Sequence, residues 1–497
     1  MPDYLVLSVT CACATLIFLW FVARKRGPPL PFPPGPKGLP IIGNSLGIDL
    51  KTPQFTYAKW GNIYGDVVYF NVFGQGFVVV NSEETARLLA DKRSTIYSDR
   101  PHSPIYSLFG IDRMTPVMPY GNDWRTHRKL FHSSLKADVV QKFHDVYLSN
   151  ARQLRHNIQS DPSKFSEHFK LFSGPLALEL TYGRKVEGKD DATIHFVSTI
   201  FDMLSRGTTP QSGGLLLAFP ILEHFPSWLP GLGFKAEAPR CRKMIATMAE
   251  LPFREAKTQL VSGTLQHCLV SDFLAYEGAG ESAAREAAAG VYLGRLTFQS
   301  AVCRSTSGFD CPLAAAESTA SILETVVLVM ILHPEIQANV HAELDDVIGK
   351  GVFPTFEDRP RLPYLQAVLY EVMRWNPVFP LGVPHATTTS DIYEGYYIPK
   401  GCIVIFNAWA MSRDCSDPEH FDPSRHLTPG GQLTPQAKQN NSLFFGFGRR
   451  ISATMLSAFR FEKAKDESGK TIQVEPSFTD GQISHPVPFE CSITSRM

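Results

Sequence analysis

The sequence has no excess charge of either sign and few signals of a disulfide-stabilised or metal-binding protein. Among its 497 residues, 48 Lys and Arg balance 48 Asp and Glu. This balance argues against nucleic acid as the main partner, because proteins that bind nucleic acid usually carry a basic excess. The nine cysteines are scattered singly apart from Cys11 and Cys13, without the spacing of a disulfide framework or of a C-x-x-C metal site. We therefore expect most of the chain to fold in a reducing compartment.

Long hydrophobic runs are scarce too, and the one that stands out is Tyr4 to Ala23. Its uncharged residues would cross the ~30 Å hydrocarbon core of a bilayer as a helix that rises about 1.5 Å per residue. A cleaved signal peptide is the alternative, but the run exceeds the usual ~7–15 apolar residues and no A-x-A-like site closes it. The basic cluster Arg24-Lys25-Arg26 should stay on the cytosolic side. We predict that residues 1–26 form a single-pass anchor of the endoplasmic reticulum with a cytosolic body.

Prolines dominate the stretch that follows this anchor, Gly27 to Pro40. Because proline fixes φ and removes a backbone donor, the stretch should form a stiff, extended spacer. We assign residues 27–44 to this hinge and residues 45–497 to one globular body without internal repeats.

The body is predicted to contain two β-hairpins. The β-rich runs Val67 to Val72 and Phe77 to Val80 flank a turn at Gly74-Gln75-Gly76. Further on, IYEGYYIPKGCIVIF alternates around a turn at Pro399-Lys400-Gly401, which favours a second hairpin.

Most of the remaining body is predicted to be helical. Leu362 to Trp375 has apolar residues at helical spacing, Ala283 to Gly294 is rich in helix formers, and Ala314 to His333 is long and apolar. Between the last two helices, Arg295 to Pro312 has no period and ends in a helix-stopping proline. We therefore predict a mainly α fold with a small β portion and an insertion at residues 295–312.

Several short motifs are weak when each is taken alone. Trp124 and Arg128 share a helix face in WRTHR, which is typical of a surface helix with a half-buried Trp. Glu371 and Arg374 lie three apart on a helix, as in an ordinary surface ion pair, and Arg425 in HFDPSRHL resembles a solvated loop residue.

Glu317-Ser318-Thr319 is more informative, because these polar residues interrupt an otherwise apolar helix. A buried carboxyl group and buried hydroxyls need partners or a task. The glycine-rich FGFGRR, which contains Phe445, Gly448 and Arg450, suggests a phosphate loop at first. It lacks the third glycine of a dinucleotide fingerprint and the Lys-Ser/Thr of a P-loop, which argues against that function.

In their joint order, these motifs resemble the haem-thiolate monooxygenases, the cytochromes P450. The resemblance runs from Pro33 to the C-terminus, and it is closest to the fungal microsomal members in the anchor, in LGVPHATTTSDIYEGYYIPKG and in ISHPVPFECSITSRM. It implies a cytochrome P450 fold with a haem cofactor.

The resemblance also implies roles for individual residues. Trp124, Arg128, His385 and Arg450 would hold haem propionates, in a cofactor site that includes Phe445 and Gly448. Glu371, Arg374 and Arg425 would form a buried ion triad. Glu317, Ser318 and Thr319 would relay protons to bound dioxygen. Ala315 replaces the glycine that usually precedes the acid.

The haem-ligand motif F-x-x-G-x-R-x-C-x-G fails at its cysteine. Ser452 stands where the axial cysteine is expected, and Thr454 stands at the final glycine. A serine hydroxyl stays protonated near neutral pH and is a poor iron ligand, so thiolate chemistry would be lost. Because the family carries about fifteen more residues before Lys463, we interpret the change as a deletion after Ile451. Splice or gene-model errors here and at residues 295–312 are our hypothesis, which sequencing of the transcript would test.

The resulting functional prediction is a membrane-anchored monooxygenase that hydroxylates an apolar small molecule, with electrons from an NADPH-dependent flavoprotein reductase. Its pocket would be lined by Ser103 to Met118, by the helix from Ala314, and by Phe379 to Val383. The alternative is a non-catalytic cytochrome P450-like protein, a ligand-binding or scaffold protein that lacks the axial cysteine. A transport or channel protein is disfavoured, since a single span is predicted.

Overall fold

A computed structural model describes residues 30–136, 139, 141–186, 191–208, 210–297, 316–440, 448–480 and 483–496, apart from a few side chains within these ranges. The predicted anchor, residues 1–26, lies outside this part of the chain. So does the predicted insertion beyond Thr297.

Helices form most of the described structure, in agreement with the predicted fold class. In chain order they are α1 (Pro53–Tyr64), α2 (Glu83–Arg87), α3 (Ser94–Tyr97), α4 (Pro104–Phe109), α5 (Asn122–Ser134), α6 (His144–Ser160), α7 (Phe165–Tyr182), α8 (Ala192–Gly207), α9 (Pro210–Ala218), α10 (Ala238–Val261), α11 (Leu269–Ala275), α12 (Glu281–Thr297), α13 (Ala316–Leu332), α14 (Pro334–Val347), α15 (Pro363–Trp375), α16 (Ala408–Met411), α17 (Pro435–Asn440) and α18 (Gly448–Ala458).

The strands form one four-stranded sheet and two two-stranded sheets. They are β1 (Val67–Val72), β2 (Gln75–Val80), β3 (His385–Ala386), β4 (Asp391–Tyr393), β5 (Tyr396–Ile398), β6 (Ile403–Phe406), β7 (Phe459–Lys463) and β8 (Cys491–Ser495). The four-stranded sheet has the order β1-β2-β6-β3, while β4 pairs with β5 and β7 with β8.

The first predicted hairpin is present, but its turn lies earlier than predicted. Val72 pairs with Gln75, so the turn is the two-residue loop Phe73-Gly74, with φ of 49° and 89°. Positive φ at both positions is the geometry that suits the twist of a tight hairpin.

The prediction of a second hairpin around Pro399-Lys400-Gly401 was wrong. Asp391–Tyr393 pairs with Tyr396–Ile398 across Glu394-Gly395, and Ile403–Phe406 instead pairs in parallel with β2. The fully buried strand β6 gains more from the interior of the sheet than from a short exposed hairpin, because apolar burial is favourable.

The core of the body is organised around α13, which is almost entirely buried where its side chains are described. It packs against α7, α12, α15 and α18. The predicted helix at Leu362 to Trp375 is α15, which begins one residue later because Leu362 has non-helical backbone angles.

The proline-rich segment lies against the body at its first described residues. The carbonyl oxygens of Pro31 and Pro34 accept hydrogen bonds from the backbone N–H groups of Tyr397 (2.7 Å) and Tyr69 (3.0 Å). The Phe32 ring stacks on the Tyr69 ring at 4.3 Å. The segment is therefore fixed between two hairpins.

Within the part of the chain that the structure describes, no single helix is long and apolar enough to cross a bilayer. One bent pair, Ser318–Leu332 with Pro334–Val347, meets the length and composition criteria together across a 110° bend.

Candidate active site

A buried carboxylate on α15 is the centre of the predicted ion triad. Glu371 is completely buried, and its two oxygens accept hydrogen bonds from Arg374 Nε at 2.8 Å and Nη2 at 2.9 Å. Such a two-pronged pair is the strongest geometry for an arginine and a carboxylate. Arg374 also donates to the carbonyl oxygens of Ser412 and Pro418, so its positive charge has several partners.

Three further groups reach Glu371 from the loop before α17. Arg425 Nε lies 3.4 Å from Oε1, an ion-pair contact without hydrogen-bond alignment. His426 Nε2 lies 2.9 Å from Oε2, and the Asp422 N–H donates to Oε1 at 3.0 Å. Burial by itself raises the pKa of Glu371. Hydrogen bonds from His426, Arg374 and the Asp422 N–H lower this pKa by more than burial raises it, so that the pKa falls to about 2. The carboxylate is therefore ionised at neutral pH.

The structure brings together all three predicted triad residues and adds His426, which the sequence analysis missed. Its only sequence signal is its position next to Arg425, since a histidine in a loop has no periodic pattern.

His385 lies on β3 and is buried. Its Nδ1 lies 2.8 Å from the Tyr97 carbonyl oxygen, and its Nε2 is buried without a hydrogen-bond partner. A carbonyl can only accept, so Nδ1 carries the proton and Nε2 is an acceptor in the neutral ring. Burial, and then the positive charge of Arg100, hold the pKa of His385 well below its usual value.

Arg100 is a second cationic group beside His385 that the sequence analysis missed. It is 4% exposed, and its guanidinium donates to the carbonyl oxygens of Val383 and Pro384 at 3.0 Å each. The sequence offers no periodic signal for it, because it lies in the irregular stretch Ser98 to Ser103.

Trp124 and Arg128 lie on α5 as predicted, and both are partly buried. The Arg128 guanidinium lies over the Trp124 ring at 5.3 Å. The Tyr120 ring contacts Trp124 at 5.2 Å, and its backbone N–H donates to Asp99 Oδ1 at 2.8 Å. The Asp99 carbonyl oxygen in turn accepts from the N–H of the residue after His385.

This chain of contacts connects α5 with β3. We call Arg100, Trp124, Arg128 and His385 the carboxylate end of the site, because their groups suit carboxylates.

Ser318 and Thr319 lie in the first turns of α13, and both are buried. The backbone of Glu317 is part of the same helix, but its side chain is outside the described residues. Ser321, Glu324 and Thr325 continue the polar face of α13, and all are buried. The sequence signal for them was the same as for Glu317: polar residues in an apolar helix.

Ser452 is fully buried within helix α18, not in a loop. Thr454, two residues further along the same helix, has a buried hydroxyl oxygen without a hydrogen-bond partner. We call the first two turns of α18 the ligand end of the site. Gly448 is the first residue of the helix, whereas Phe445 and the side chain of Arg450 lie outside the described residues.

None of the cysteines that the structure describes lies in or just before α18. Burial raises the pKa of Cys241 to about 11 and that of Cys491 to about 12, and it also raises those of Cys268 and Cys402. These thiols therefore stay protonated at neutral pH. Cys415 is exposed on the loop after α16.

Within the described ranges, no group of three or more His, Cys, Asp or Glu residues is arranged to hold a metal ion.

Comparisons with known proteins identify the framework that positions these residues. The family model of cytochrome P450 matches residues 33–479. The chain belongs to the cytochrome P450 family. Members of this family that resemble it are named as monooxygenases, so the chain falls among haem-dependent oxidoreductases.

Three similar fungal relatives show how much of the chain the match covers. The cytochrome P450 monooxygenase COX1 of Coprinopsis cinerea is 33% identical, over 98% of this chain and 97% of the relative. Cytochrome P450 monooxygenase 136 of Postia placenta is 33% identical over 99% and 93%. The Armillaria gallica cytochrome P450 monooxygenase ARMGADRAFT_974139 is 33% identical over 97% and 96%.

The match with the Coprinopsis relative extends over 515 aligned positions, whereas this chain has 497 residues. The difference between 515 and 497 means that the relative has a residue at 18 or more positions where this chain has none. The deletion after Ile451 itself stays a prediction.

The family implies a haem cofactor, and the two ends of the site fit it differently. At the carboxylate end, the buried Arg100 suits a haem carboxylate, and so does the orphaned Nε2 of His385 once the ring is protonated. At the ligand end, the described part of α18 offers Ser452 and no thiolate. The residues therefore fit the carboxylates of haem but not its iron.

Proposed function

We propose that the protein is a membrane-anchored, haem-dependent monooxygenase that hydroxylates an apolar small molecule. The observation that carries this proposal is the pair of buried hydroxyls, Ser318 and Thr319, at the start of the apolar helix α13. Haem, when bound, supplies the activation of dioxygen in this family. The electrons would come from a flavoprotein reductase on the same membrane face.

The chain's own residues would bind the cofactor and deliver protons. Arg100 and His385 would hold the carboxylates, and the Glu371 cluster would keep α15 rigid beneath them. Ser318 and Thr319 can each accept and donate a proton at the hydroxyl oxygen while the apolar surroundings exclude bulk water. Arg100 also fixes the segment just before His385, which would line the substrate pocket. Its guanidinium donates hydrogen bonds to the carbonyl oxygens of Val383 and Pro384.

Membrane attachment is proposed from the apolar run Tyr4 to Ala23 and is supported by the surface near the proline-rich segment. Leu39 and Ile41, near the end of that segment, are exposed. Phe73 and Phe219 are both partly exposed, and their rings meet at 5.7 Å. Large apolar side chains exposed together favour a lipid contact.

A buried lysine holds part of this surface in place. The Lys235 ammonium donates to the carbonyl oxygens of Leu222 (2.9 Å), Glu223 (2.6 Å) and Phe225. These bonds fix the short helix Pro220–His224, on which Ile221 is 64% exposed. The exposed side chains therefore belong to an ordered surface. Retention of the full chain in the membrane pellet after a carbonate wash would support attachment, and release into the supernatant would overturn it.

The direct test of the proposed chemistry is a reduced carbon-monoxide difference spectrum of membranes that contain the full chain. The proposal predicts a strongly red-shifted Soret band, which would mean that a cysteine from outside α18 supplies a thiolate to the iron. A haem spectrum without that shift would overturn it.

That second result would instead favour a non-catalytic cytochrome P450-like protein that binds a ligand or serves as a scaffold. The observation in favour of this alternative is the position of Ser452, which is buried within a helix where the resemblance implies a cysteine loop.

A further inference from the structure

A cavity of about 340 Å³ lies between the end of helix α13, the start of α14 and strand β7. The chain bends by 110° from α13 into α14, and this bend leaves a concave corner that β7 closes on one side. The apolar residues that line the cavity are Met330, Ile331, Leu332, Pro334, Ala338 and Phe461. Its volume falls in the range of small-molecule pockets, ~300–1,000 Å³.

The cavity is separate from the candidate active site. Ser318 lies in the first turns of α13, whereas Met330 lies in its last turn. A helix rises about 1.5 Å per residue, so the step from residue 318 to residue 330 corresponds to about 18 Å along α13. A ligand in this cavity would therefore not occupy the space next to the candidate catalytic hydroxyls.

The walls of the cavity are fixed to one another by Gln337 of α14, which is 3% exposed. Its Nε2 donates to the carbonyl oxygens of Met330 (3.3 Å) and Phe461 (2.8 Å), and its Oε1 accepts from the Phe461 N–H at 2.8 Å. One buried amide group of α14 thus bonds the backbones of α13 and β7. Because buried polar groups keep their partners, the cavity has a shape that the fold itself maintains.

Lys463, the last residue of β7, gives the cavity a positive charge. Along this strand Phe459 and Phe461 are buried, whereas Arg460 and Glu462 are exposed. Side chains two residues apart on a strand share a face, so Lys463 follows Phe461 on the inward face and is partly buried. Within the part of the chain that the structure describes, its ammonium group forms no ion pair.

The other ionisable groups that line the cavity add no net charge. Arg460 Nε lies 3.5 Å from Glu462 Oε1, so these two opposite charges are paired. His341 is neutral at pH 7, because burial lowers its pKa to about 4. Lys463 is therefore the charge that is left without a counter-charge, next to walls that are mainly apolar.

We propose that this cavity is a second binding site, which takes a small apolar molecule that carries one carboxylate. Lys463 would bind the carboxylate, and Met330 and Phe461 would contact the apolar part. A partly buried ammonium group is stabilised by a counter-charge, and an apolar group is stabilised by burial, so one ligand of this chemistry satisfies both. The proposal does not depend on haem, since the cavity shares no residue with the candidate active site.

The test uses three probes of matched size and different charge: 3-phenylpropionate, 3-phenylpropan-1-ol and 3-phenylpropylamine. Hydrogen–deuterium exchange of the full chain is followed at 330–341 and 459–463 as each probe is titrated. This readout gives a dissociation constant for the cavity alone, even if a probe also binds elsewhere. We expect the carboxylate to bind there at least tenfold more tightly than the alcohol, and the amine to bind most weakly. Equal protection by all three probes would overturn the proposal.

Two substitutions of Lys463 test its role. Lys463→Met keeps the length of the side chain and removes the charge, so it should weaken binding of 3-phenylpropionate at least tenfold and leave the alcohol unaffected. Lys463→Arg keeps the charge and should stay within about threefold of wild type. The matched control is Lys465→Met, the same change at an exposed residue that does not line the cavity, and it should bind like wild type.

A third variant tests the cavity itself. Ala338 lies at the exposed rim, so Ala338→Trp fills the space without disturbing the core and should abolish protection by 3-phenylpropionate. Absence of protection in the wild type at millimolar 3-phenylpropionate would overturn the proposal. So would equal weakening by Lys463→Met and Lys465→Met, because it would show that only the net charge of the chain matters.

Discussion

At the carboxylate end of the candidate site, Arg100 and His385 are buried and held by backbone carbonyls, whereas at the ligand end Ser452 lies inside a helix that offers no thiolate. At the carboxylate end, Asp99 connects residues that lie far apart in the chain, since it accepts hydrogen bonds from the backbone N–H groups of Tyr120 and of Ala386 on β3. The ligand end depends on one short stretch of sequence. The difference shows that the residues suited to the carboxylates of haem are held by long-range contacts, whereas the described residues of α18 include no thiolate ligand for its iron.

The Glu371 cluster gives the largest expected effect, because the framework depends on it. Glu371→Gln leaves Arg374 and Arg425 without a counter-charge, and we expect a loss of about 3–5 kcal/mol in the free energy of unfolding. Chemical denaturation of the full chain measures this. His426→Asn, which leaves both arginine contacts of Glu371 in place, should cost less than half as much. A loss below about 1 kcal/mol for Glu371→Gln would contradict the framework's dependence on this cluster.

Two histidines, one near each end of the site, allow the stability of the two ends to be compared as the pH is lowered. His127 lies on α5 between Trp124 and Arg128, and His341 lies on α14, which packs against α18. Burial lowers the pKa of each from 6.5 to about 4. The unfolded chain therefore binds more protons between pH 6.5 and 4, and stability falls as the pH drops through this window. We expect a loss of about 2 kcal/mol at pH 5 for the buried His127 and a smaller loss for the partly exposed His341.

Variants of the two histidines separate these contributions. His127→Asn and His341→Asn cannot take up the proton, so each should flatten the dependence of unfolding free energy on pH. If neither variant changes the slope between pH 7 and 5, the two rings are not held neutral in the fold.

Haem binding should be coupled to the uptake of one proton by His385. Its Nδ1 already donates to Tyr97, so a carboxylate at Nε2 requires the ring to be protonated. The affinity for haem should therefore weaken as the pH rises, by up to tenfold per pH unit. His385→Gln donates without taking up a proton and should remove this dependence in a Soret titration between pH 6 and 8. If the haem affinity of His385→Gln depends on pH as steeply as that of the wild type, a group other than His385 takes up the proton.

The smallest expected effect concerns the orphaned hydroxyl at the ligand end. Thr454→Val keeps the shape and removes a buried group without a hydrogen bond, so it should raise the free energy of unfolding by about 1 kcal/mol. Thr325→Val, the same change where the hydroxyl donates to the Ser321 carbonyl oxygen, should lower it by a similar amount. Destabilisation by Thr454→Val would show that this hydroxyl has a partner.

The sequence was informative where the signal is periodic or where motifs keep their order. Helix α15 follows from apolar spacing and α13 from its long apolar run, and the triad residues follow from the resemblance. The register of the second hairpin could not be predicted from the sequence, because the apolar residues of IYEGYYIPKGCIVIF alternate on both sides of two possible turns. The parallel pairing of β6 with β2 could not be predicted either, because β2 lies more than three hundred positions earlier in the chain.

The parts of the site that were missed share one property. Arg100 and Asp99 lie in irregular segments and His426 ends a short 3-10 helix, where no local pattern marks a buried or half-buried polar group. Their burial results from contacts between distant segments, such as Asp99 with the strand at His385 and His426 with Glu371. Glu324 could have been noticed, since it interrupts an apolar helix in the same way as Glu317.

The most direct test of the difference between the two ends is a Soret titration of the haem-free full chain with haem, in wild type, Arg100→Leu and Ser452→Ala. We predict that Arg100→Leu weakens binding at least tenfold, and that Ser452→Ala leaves the affinity and the spectrum unchanged. The opposite pattern, with unchanged binding in Arg100→Leu and a loss of binding or a shifted Soret band in Ser452→Ala, would contradict the assignment of the two ends.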